Sequence, residues 1–127
     1  MRNYRDNPLM KMTFQFALNI MEFAEVLREE KRFAFADQVS RAGCSIGANV
    51  KEAQSAESKA DFIHKMKIAS KEAGETGYGL ELCNFAKNYS KPGGLLNDIE
   101  AILKVLSKTI STTKRKLDEF HIFALKH

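Results

Sequence analysis

Apolar residues recur at alternating steps of four and three along most of this sequence, and this spacing constrains the possible fold more than any other feature. The second periodic segment has a seam at Phe35, Val39, Ala42, Ile46, Asn49 and Ala53. The fourth has one at Ile99, Leu103, Leu106, Ile110, Thr113, Leu117 and Phe120. A 3.5-residue repeat places one apolar stripe along a long helix, and no strand-like alternation competes with it. The chain is therefore expected to be all-α.

The periodic segments predict four helices within one domain that covers residues 1–127. Their expected bounds are about residues 8–30, 33–55, 59–88 and 95–121. Asn7 is a plausible N-cap before Pro8, Ser58 caps the third helix, and the run 91–94 (Lys-Pro-Gly-Gly) breaks the chain before the fourth. Short links make neighbouring helices antiparallel, and a 3.5 repeat favours left-handed crossing. We therefore expect an antiparallel up-down left-handed four-helix bundle.

The first helix is apolar over a wider arc than one bundle face requires. Beside its main stripe runs a second one at Met10, Phe14, Ala17, Met21 and Ala24, of which the first four are candidate contact residues. Such a helix either lies deeply buried or meets another subunit. We interpret these four residues as an oligomer interface.

Polar residues form a row beside the seam of the second helix, facing carboxylates expected on the third. The row and its expected partners are Gln38, Arg41, Ser45, Asn49, Glu52, Glu72 and Glu75. A partly buried network of this kind can fix helix register, since a buried charge needs a partner. The alternative is a catalytic carboxylate pair, but the row has no nearby histidine and no nucleophile with an activating base. We predict a structural network and no enzyme activity.

Neither cysteine nor histidine spacing indicates a metal or cofactor site. Cys44 and Cys83 are far apart and form no C-x-x-C, as expected of buried thiols in the cytoplasm. Two D-x-x-H steps, Asp61/His64 and Asp118/His121, have aspartate where di-iron bundles use glutamate. No apolar run approaches the roughly 18 residues of a membrane span. We expect a cytoplasmic protein with no metal, no cofactor and no membrane segment.

Glycines within the helical segments indicate close backbone approach. Gly43 and Gly47 form a G-x-x-x-G step, and Gly74, Gly77 and Gly79 lie in the third helix. Glycine inside a helix costs about 1 kcal/mol relative to alanine, so five such positions predict tight helix packing within or between subunits.

The net charge of +4 is modest, but its distribution is uneven. Residues 102–116 contain five cations and no acid, and a second group lies early in the third helix. The side chains that could contact phosphate are Lys67, Lys71, Lys104, Lys108, Lys114, Arg115 and Lys116. Antiparallel packing would merge the two groups at one end of the bundle. This arrangement is typical either of a nucleic-acid-binding surface or of an ordinary solvated face.

Several segments resemble a known family. These are NPL at 7–9, FALNI at 16–20, QVSRAGCSIGANVKEA at 38–53 and KADFIHKMKIASKEAGETGYGLEL at 59–82. Together they resemble the four-helix bundle proteins related to the 23S rRNA intervening-sequence proteins. The chain departs from the family at Cys44, where Thr, Ser or Ala is usual, and at Gly79, where Trp is usual. The second departure suggests different packing near Tyr78.

The resemblance implies an up-down bundle that assembles as a homopentamer, with no catalytic residues to carry over. Some members are encoded inside insertions in ribosomal RNA genes. A related branch binds nucleic acid and a reverse transcriptase as an accessory protein. We therefore expect a non-enzymatic oligomer that binds RNA or DNA through its basic surface. The alternative is a scaffold or accessory subunit that binds a protein partner and has no direct nucleic-acid role.

Overall fold

The computed structural model describes residues 6–127 and shows four helices with no strand in that range. The helices are α1 (Pro8–Glu29), α2 (Phe33–Ala53), α3 (Lys59–Phe85) and α4 (Leu95–Lys126). Each packs against the next one in the chain, and α4 also contacts α1. The four-helix bundle predicted from the seams is confirmed.

Side-chain contacts at both ends of α1 and α2 show that these two helices run in opposite directions. Asn7, before α1, donates from Nδ2 to Oε1 of Gln54, after α2, at 3.1 Å. Arg28 near the end of α1 bonds Asp37 near the start of α2 at 3.1 Å. The left-handed supercoil stays a prediction from the heptad spacing.

Two helix starts follow the capping rules. The Asn7 Oδ1 accepts from the Met10 N–H at 3.1 Å, with Pro8 in the first turn. Ser58 Oγ accepts from the Asp61 N–H at 3.0 Å. Each bond satisfies one of the N–H groups that a helix start leaves unpaired, worth about 1 kcal/mol.

The third helix ends three residues before the predicted bound of residue 88. Ala86 has extended backbone angles, and Asn88 has a φ of 65°, a left-handed conformation that asparagine adopts more readily than most residues. The ammonium of Lys91 donates to the carbonyls of Ala86 at 2.8 Å and Cys83 at 3.5 Å. These contacts replace the hydrogen bonds that another helical turn would have made.

The turn between α1 and α2 is tied to the loop between α3 and α4. The Arg32 guanidinium lies 4.0 Å from the centroid of the Tyr89 ring and donates to the Asn88 carbonyl at 3.1 Å. Ser90 Oγ donates to the Glu30 carboxylate at 2.8 Å. Phe35 meets Tyr89 edge to face, with ring centroids 6.0 Å apart. These contacts fix the end of the bundle at which α2 begins and α3 ends.

The fourth helix continues past its predicted end at residue 121 as far as Lys126. Its last buried residue is Leu106, and every residue from Asp118 onward is exposed. The predicted seam residue Phe120 is therefore 62% exposed rather than buried in the core. The apolar seam of α4 continues beyond the core because α4 has 32 residues, whereas α1, α2 and α3 have 22, 21 and 27.

The glycines of α2 let α1 approach closely, as predicted from the G-x-x-x-G step. A Cβ on Gly43 would lie 2.9 Å from Cγ1 and Cγ2 of Ile20, and one on Gly47 would lie 3.2 Å from Oγ1 of Thr13. This close approach therefore joins two helices of the same chain, α1 and α2. Gly74 differs, since a Cβ there would meet nothing within 4 Å.

Gly43→Ala and Gly74→Ala should therefore have opposite effects on stability. Gly43→Ala forces the branched part of Ile20 aside and should lower the free energy of unfolding by about 1–3 kcal/mol. Gly74→Ala adds no contact and relieves the cost of glycine in a helix, so it should raise that free energy by up to about 1 kcal/mol. Urea unfolding of both variants at equal protein concentration measures the difference. Equal effects would show that α1 and α2 are not in close contact at Gly43.

Candidate nucleic-acid interface

A groove between α3 and α4 brings together residues from both basic groups. It has a volume of about 400 Å³ and is lined by Lys67, Ser70, Ser107, Ile110, Ser111 and Lys114. Antiparallel packing places the first half of α3 beside the second half of α4, so these residues meet although they are far apart in sequence. Ammonium and hydroxyl groups are the donors that proteins direct at phosphate oxygens. We call this feature the α3/α4 groove.

More cations flank the groove on its outer side. Lys104, Lys108 and Arg115 are exposed on α4, and they share one stripe with Ser111 at steps of four, three and four. Lys71 follows Lys67 by one turn on α3 and is exposed. Within residues 6–127, none of the five lysines at positions 67, 71, 104, 108 and 114 forms an ion pair. Their charge is therefore directed at solvent.

Two of the predicted cations fit the groove less well. Arg115 lies 3.8 Å from Glu119, and both side chains are exposed, so the pair contributes little. Lys116 is two residues beyond Lys114 and so projects about 200° away around the helix. It lies on the far side of α4 from the groove.

The serines of the groove were missed by the sequence reasoning. Ser107, Ser111 and Lys114 recur at steps of four and three on α4, as do Lys67 and Ser70 at a step of three on α3. A search for small hydroxyl residues at helical spacing from lysines would have found them.

The cross-helix network predicted from the polar row does not form within the chain. Arg41 is exposed, and no hydrogen bond or ion pair within residues 6–127 joins it or Gln38 to Glu72 or Glu75. The prediction of that pairing is wrong, because Arg41 keeps its charge in water and so avoids the cost of desolvation.

The polar row instead bonds mostly to its own helix. Ser45 Oγ donates to the Arg41 carbonyl and Asn49 Nδ2 to the Ser45 carbonyl, both at 2.8 Å. Glu52 is exposed. On α3, Oε2 of Glu72 is buried and has no hydrogen-bond partner within residues 6–127. Gln38 and Glu75 do lie on opposite walls of one groove between α2 and α3.

The second stripe of α1 is only partly on the surface. Met10 is 2% exposed and belongs to the chain's own core, so its prediction as an interface residue is wrong. The apolar arc of α1 is wide because α1 packs against both α2 and α4. Phe14 and Met21 are 47% and 51% exposed, Ala17 is half-buried, and Leu18 adds to the exposed surface.

The described residues offer little for metal or nucleophilic chemistry. No group of three His, Cys, Asp or Glu side chains within 6–127 is placed to hold a metal ion. Asp61 accepts from the Glu57 N–H at 3.2 Å and pairs with Lys65 at 3.6 Å, while His64 is exposed. Burial raises the pKa of the Cys83 thiol, and the Glu30 carboxylate adds to this shift, so the thiolate is disfavoured. No helix in this part of the chain has the length and apolarity needed to cross a membrane.

The four packed helices define a helical-bundle protein. Its α3/α4 groove of lysines and serines lies on the surface of that bundle. The sequence model of the family described as 23S rRNA-intervening sequence protein matches residues 5–114. The chain belongs to this family, as the resemblance of residues 38–53 in α2 and 59–82 in α3 had suggested.

A solved structure agrees with the assignment. It is a crystal structure from Bacteroides thetaiotaomicron VPI-5482, described as a protein with unknown function from the S23 ribosomal protein family. It is 38% identical, superposes with a TM-score of 0.76, and the alignment covers 80% of this chain and 97% of that one. No curated protein matches the sequence.

Arg41→Ala tests the correction to the polar row. Because Arg41 is exposed and forms no ion pair within the described residues, its loss should change the free energy of unfolding by less than about 0.5 kcal/mol. Glu52→Ala, exposed on the same helix, is the matched control. A loss of about 3 kcal/mol or more in urea unfolding would instead show that Arg41 neutralises a buried carboxylate.

Proposed function

We propose that this protein is a non-enzymatic, cytoplasmic oligomer that binds RNA or another nucleic acid along the α3/α4 groove. The observation that carries the proposal is that Lys67 and Lys114 line one groove with three serines. The α4 side of this groove belongs to residues 102–116, which contain no acid. Phosphate contacts of this kind supply most of the free energy of non-specific binding to nucleic acid. The name of the family is consistent with an RNA partner.

The proposed binding mode is backbone contact rather than base reading. The groove is lined by ammonium and hydroxyl groups and by one aliphatic side chain, Ile110, with no aromatic ring on which a base could stack. Lys71, Lys104, Lys108 and Arg115 would add charge around the nucleic acid, whereas Lys116 faces away from the groove. Affinity should then depend strongly on salt and weakly on sequence.

Replacing the two groove lysines should weaken RNA binding and lower its salt dependence. Each phosphate contact contributes about 0.7–0.9 to the slope of log affinity against log salt. Lys67→Glu with Lys114→Glu should therefore reduce that slope by roughly 1.4–1.8 and weaken binding to a labelled RNA hairpin in fluorescence anisotropy.

The control for this measurement carries the same change in charge elsewhere. Lys31→Glu with Lys87→Glu alters exposed lysines after α1 and after α3, at the end of the bundle where α2 begins and α3 ends. It should weaken binding less and leave the slope nearly unchanged. Binding that does not respond to salt, or equal losses in both double variants, would contradict the proposed groove.

The oligomer is proposed to form in part through the exposed side of α1. Leu18 and Met21 are large apolar side chains exposed on one helix, together with the half-buried Ala17 and with Phe14. Contiguous apolar surface of this kind marks protein interfaces. The family resemblance suggests five subunits.

Leu18→Glu with Met21→Glu should lower the mass measured by light scattering, because two charges would have to be buried at the interface. Ala34→Glu with Ala48→Glu adds the same charge at exposed positions of α2 and should leave the mass unchanged. An unaltered mass in the α1 variant, with its helical circular dichroism intact, would exclude α1 from the interface.

The alternative function is that of a scaffold or accessory subunit for a protein partner such as a polymerase. The exposed apolar surface of α1 also fits this function. A partner that stays bound after nuclease treatment and that does not respond to the charge changes at Lys67 and Lys114 would favour it.

A further inference from the structure

The end of α4 is a helix without a partner in its own chain. Residues 118–126, which we call the α4 arm, are exposed throughout and lie beyond residue 114, where the match to the family ends. Phe120 and Phe123 are 62% and 60% exposed on one side of it, and Ile122 and Leu125 are exposed on the other. A helical segment this short is marginal in water without tertiary packing, and exposed aromatic side chains are typical of binding surfaces.

A groove of complementary character lies at the start of α2 and the end of α3. Its cavity of about 80 Å³ is lined by Phe35, Val39, Ala42, Gly79 and, at the mouth, Tyr78 and Leu82. We call it the α2/α3 groove. Gly79 leaves its floor open, since a Cβ there would only just touch Phe35 Cζ at 3.7 Å and Val39 Cγ2 at 3.8 Å. An aromatic ring from outside could therefore pack on Phe35 and Val39.

The groove helix and the last part of α4, taken from residue 114 onward, have opposite net charges. Residues 72–86 of the groove helix contain three glutamates, of which Glu75 lines the groove, and no lysine or arginine. The arm itself carries Asp118, Glu119 and Lys126, but residues 114–126 together contain four cations and two acids, a net charge of +2. Lys116 precedes Phe120 by four residues, just as Glu75 precedes Gly79 by four. A helix lying parallel to α3 with Phe120 over Gly79 would therefore bring Lys116 to Glu75.

The arm cannot reach the groove of its own chain. The groove lies beside the α1–α2 turn, where Phe35 contacts Tyr89. The arm follows the part of α4 that packs beside the first half of α3, at the opposite end of the bundle. Since α4 is one continuous helix, the arm points away from the groove.

We propose that the α4 arm of one copy docks in the α2/α3 groove of a second copy. Phe120 and Phe123 are the anchors, and Lys116 pairs with Glu75 at the edge. The contact is heterologous, because the two surfaces differ, so it closes as a reciprocal pair or a ring, or continues as a chain. It is separate from the exposed side of α1 and from the nucleic-acid surface.

Disulfide capture between two differently labelled proteins tests the contact directly. One protein carries Phe120→Cys and the other Tyr78→Cys, both with Cys44→Ser so that the partly buried Cys44 thiol does not compete. Cys83 can stay, because it is buried and its raised pKa disfavours the reactive thiolate. Mixing under mild oxidation should give a disulfide between the two proteins. Leu125→Cys, on the other side of the arm, should give much less.

Two outcomes of this capture would overturn the proposal. A mixed disulfide no more abundant than with Leu125→Cys would show that the arm does not enter the groove. Dominant Phe120→Cys homodimers would assign the arm to pairing with another arm.

Light scattering with circular dichroism provides a second test that does not depend on introduced thiols. Phe120→Ser with Phe123→Ser should weaken association about tenfold or more, as expected when two aromatic anchors are lost. Ile122→Ser with Leu125→Ser should leave association unchanged. Gly79→Leu, which fills the groove, should weaken it as well. Glu75→Lys should weaken association, and Lys116→Glu added to it should restore association.

An unchanged mass in the Phe120 and Phe123 variant would overturn self-docking. If the same variant lost affinity for the RNA hairpin, the arm would be assigned to nucleic acid instead. Lys67 and Lys114 of the α3/α4 groove are unchanged in all of these variants. A failure of self-docking is therefore distinguishable from a failure of the proposed nucleic-acid function.

Discussion

Burial of the apolar seams against one another holds the four helices together, and these seams differ in length. The shorter helices bury theirs almost completely, with Ile20, Ile46 and Leu80 fully enclosed in the core. The longest helix, α4, has 32 residues, has no fully buried residue after Leu106 and is exposed throughout from Asp118 onward. Apolar side chains that continue past the core must meet water or another molecule. The arm, and with it our inference of a second copy, follows from this mismatch.

Charge is segregated along the two helices that form the proposed binding surface. The second half of α3 is acidic, and residues 102–116 of α4 are basic. Antiparallel packing places the basic part of α4 beside the lysines early in α3 rather than beside the glutamates. Like charges therefore accumulate at the α3/α4 groove instead of neutralising one another. That arrangement disfavours the isolated chain slightly and favours an anionic ligand.

Features that depend on residues three or four apart were predicted well. The N-caps at Asn7 and Ser58 were identified from the sequence, as was the close packing at Gly43 and Gly47. The expected pairing of Arg41 with a glutamate was wrong, because helical spacing shows which side a residue is on and not where a flexible side chain ends. Met10 was misassigned for a similar reason. An apolar stripe looks the same whether its own chain or another one covers it.

By itself, the sequence determined four helices, their approximate bounds, their caps and the bundle that their seams require, because each of these depends on contacts that are local in the chain. Only the tertiary structure decided where each seam runs out of partners, which stripe of α1 stays exposed, and that Lys67 and Lys114 share a groove. Those outcomes depend on how far helices of different length overlap once they are packed. That overlap is set by the closest approach of the helices, and no single segment encodes it.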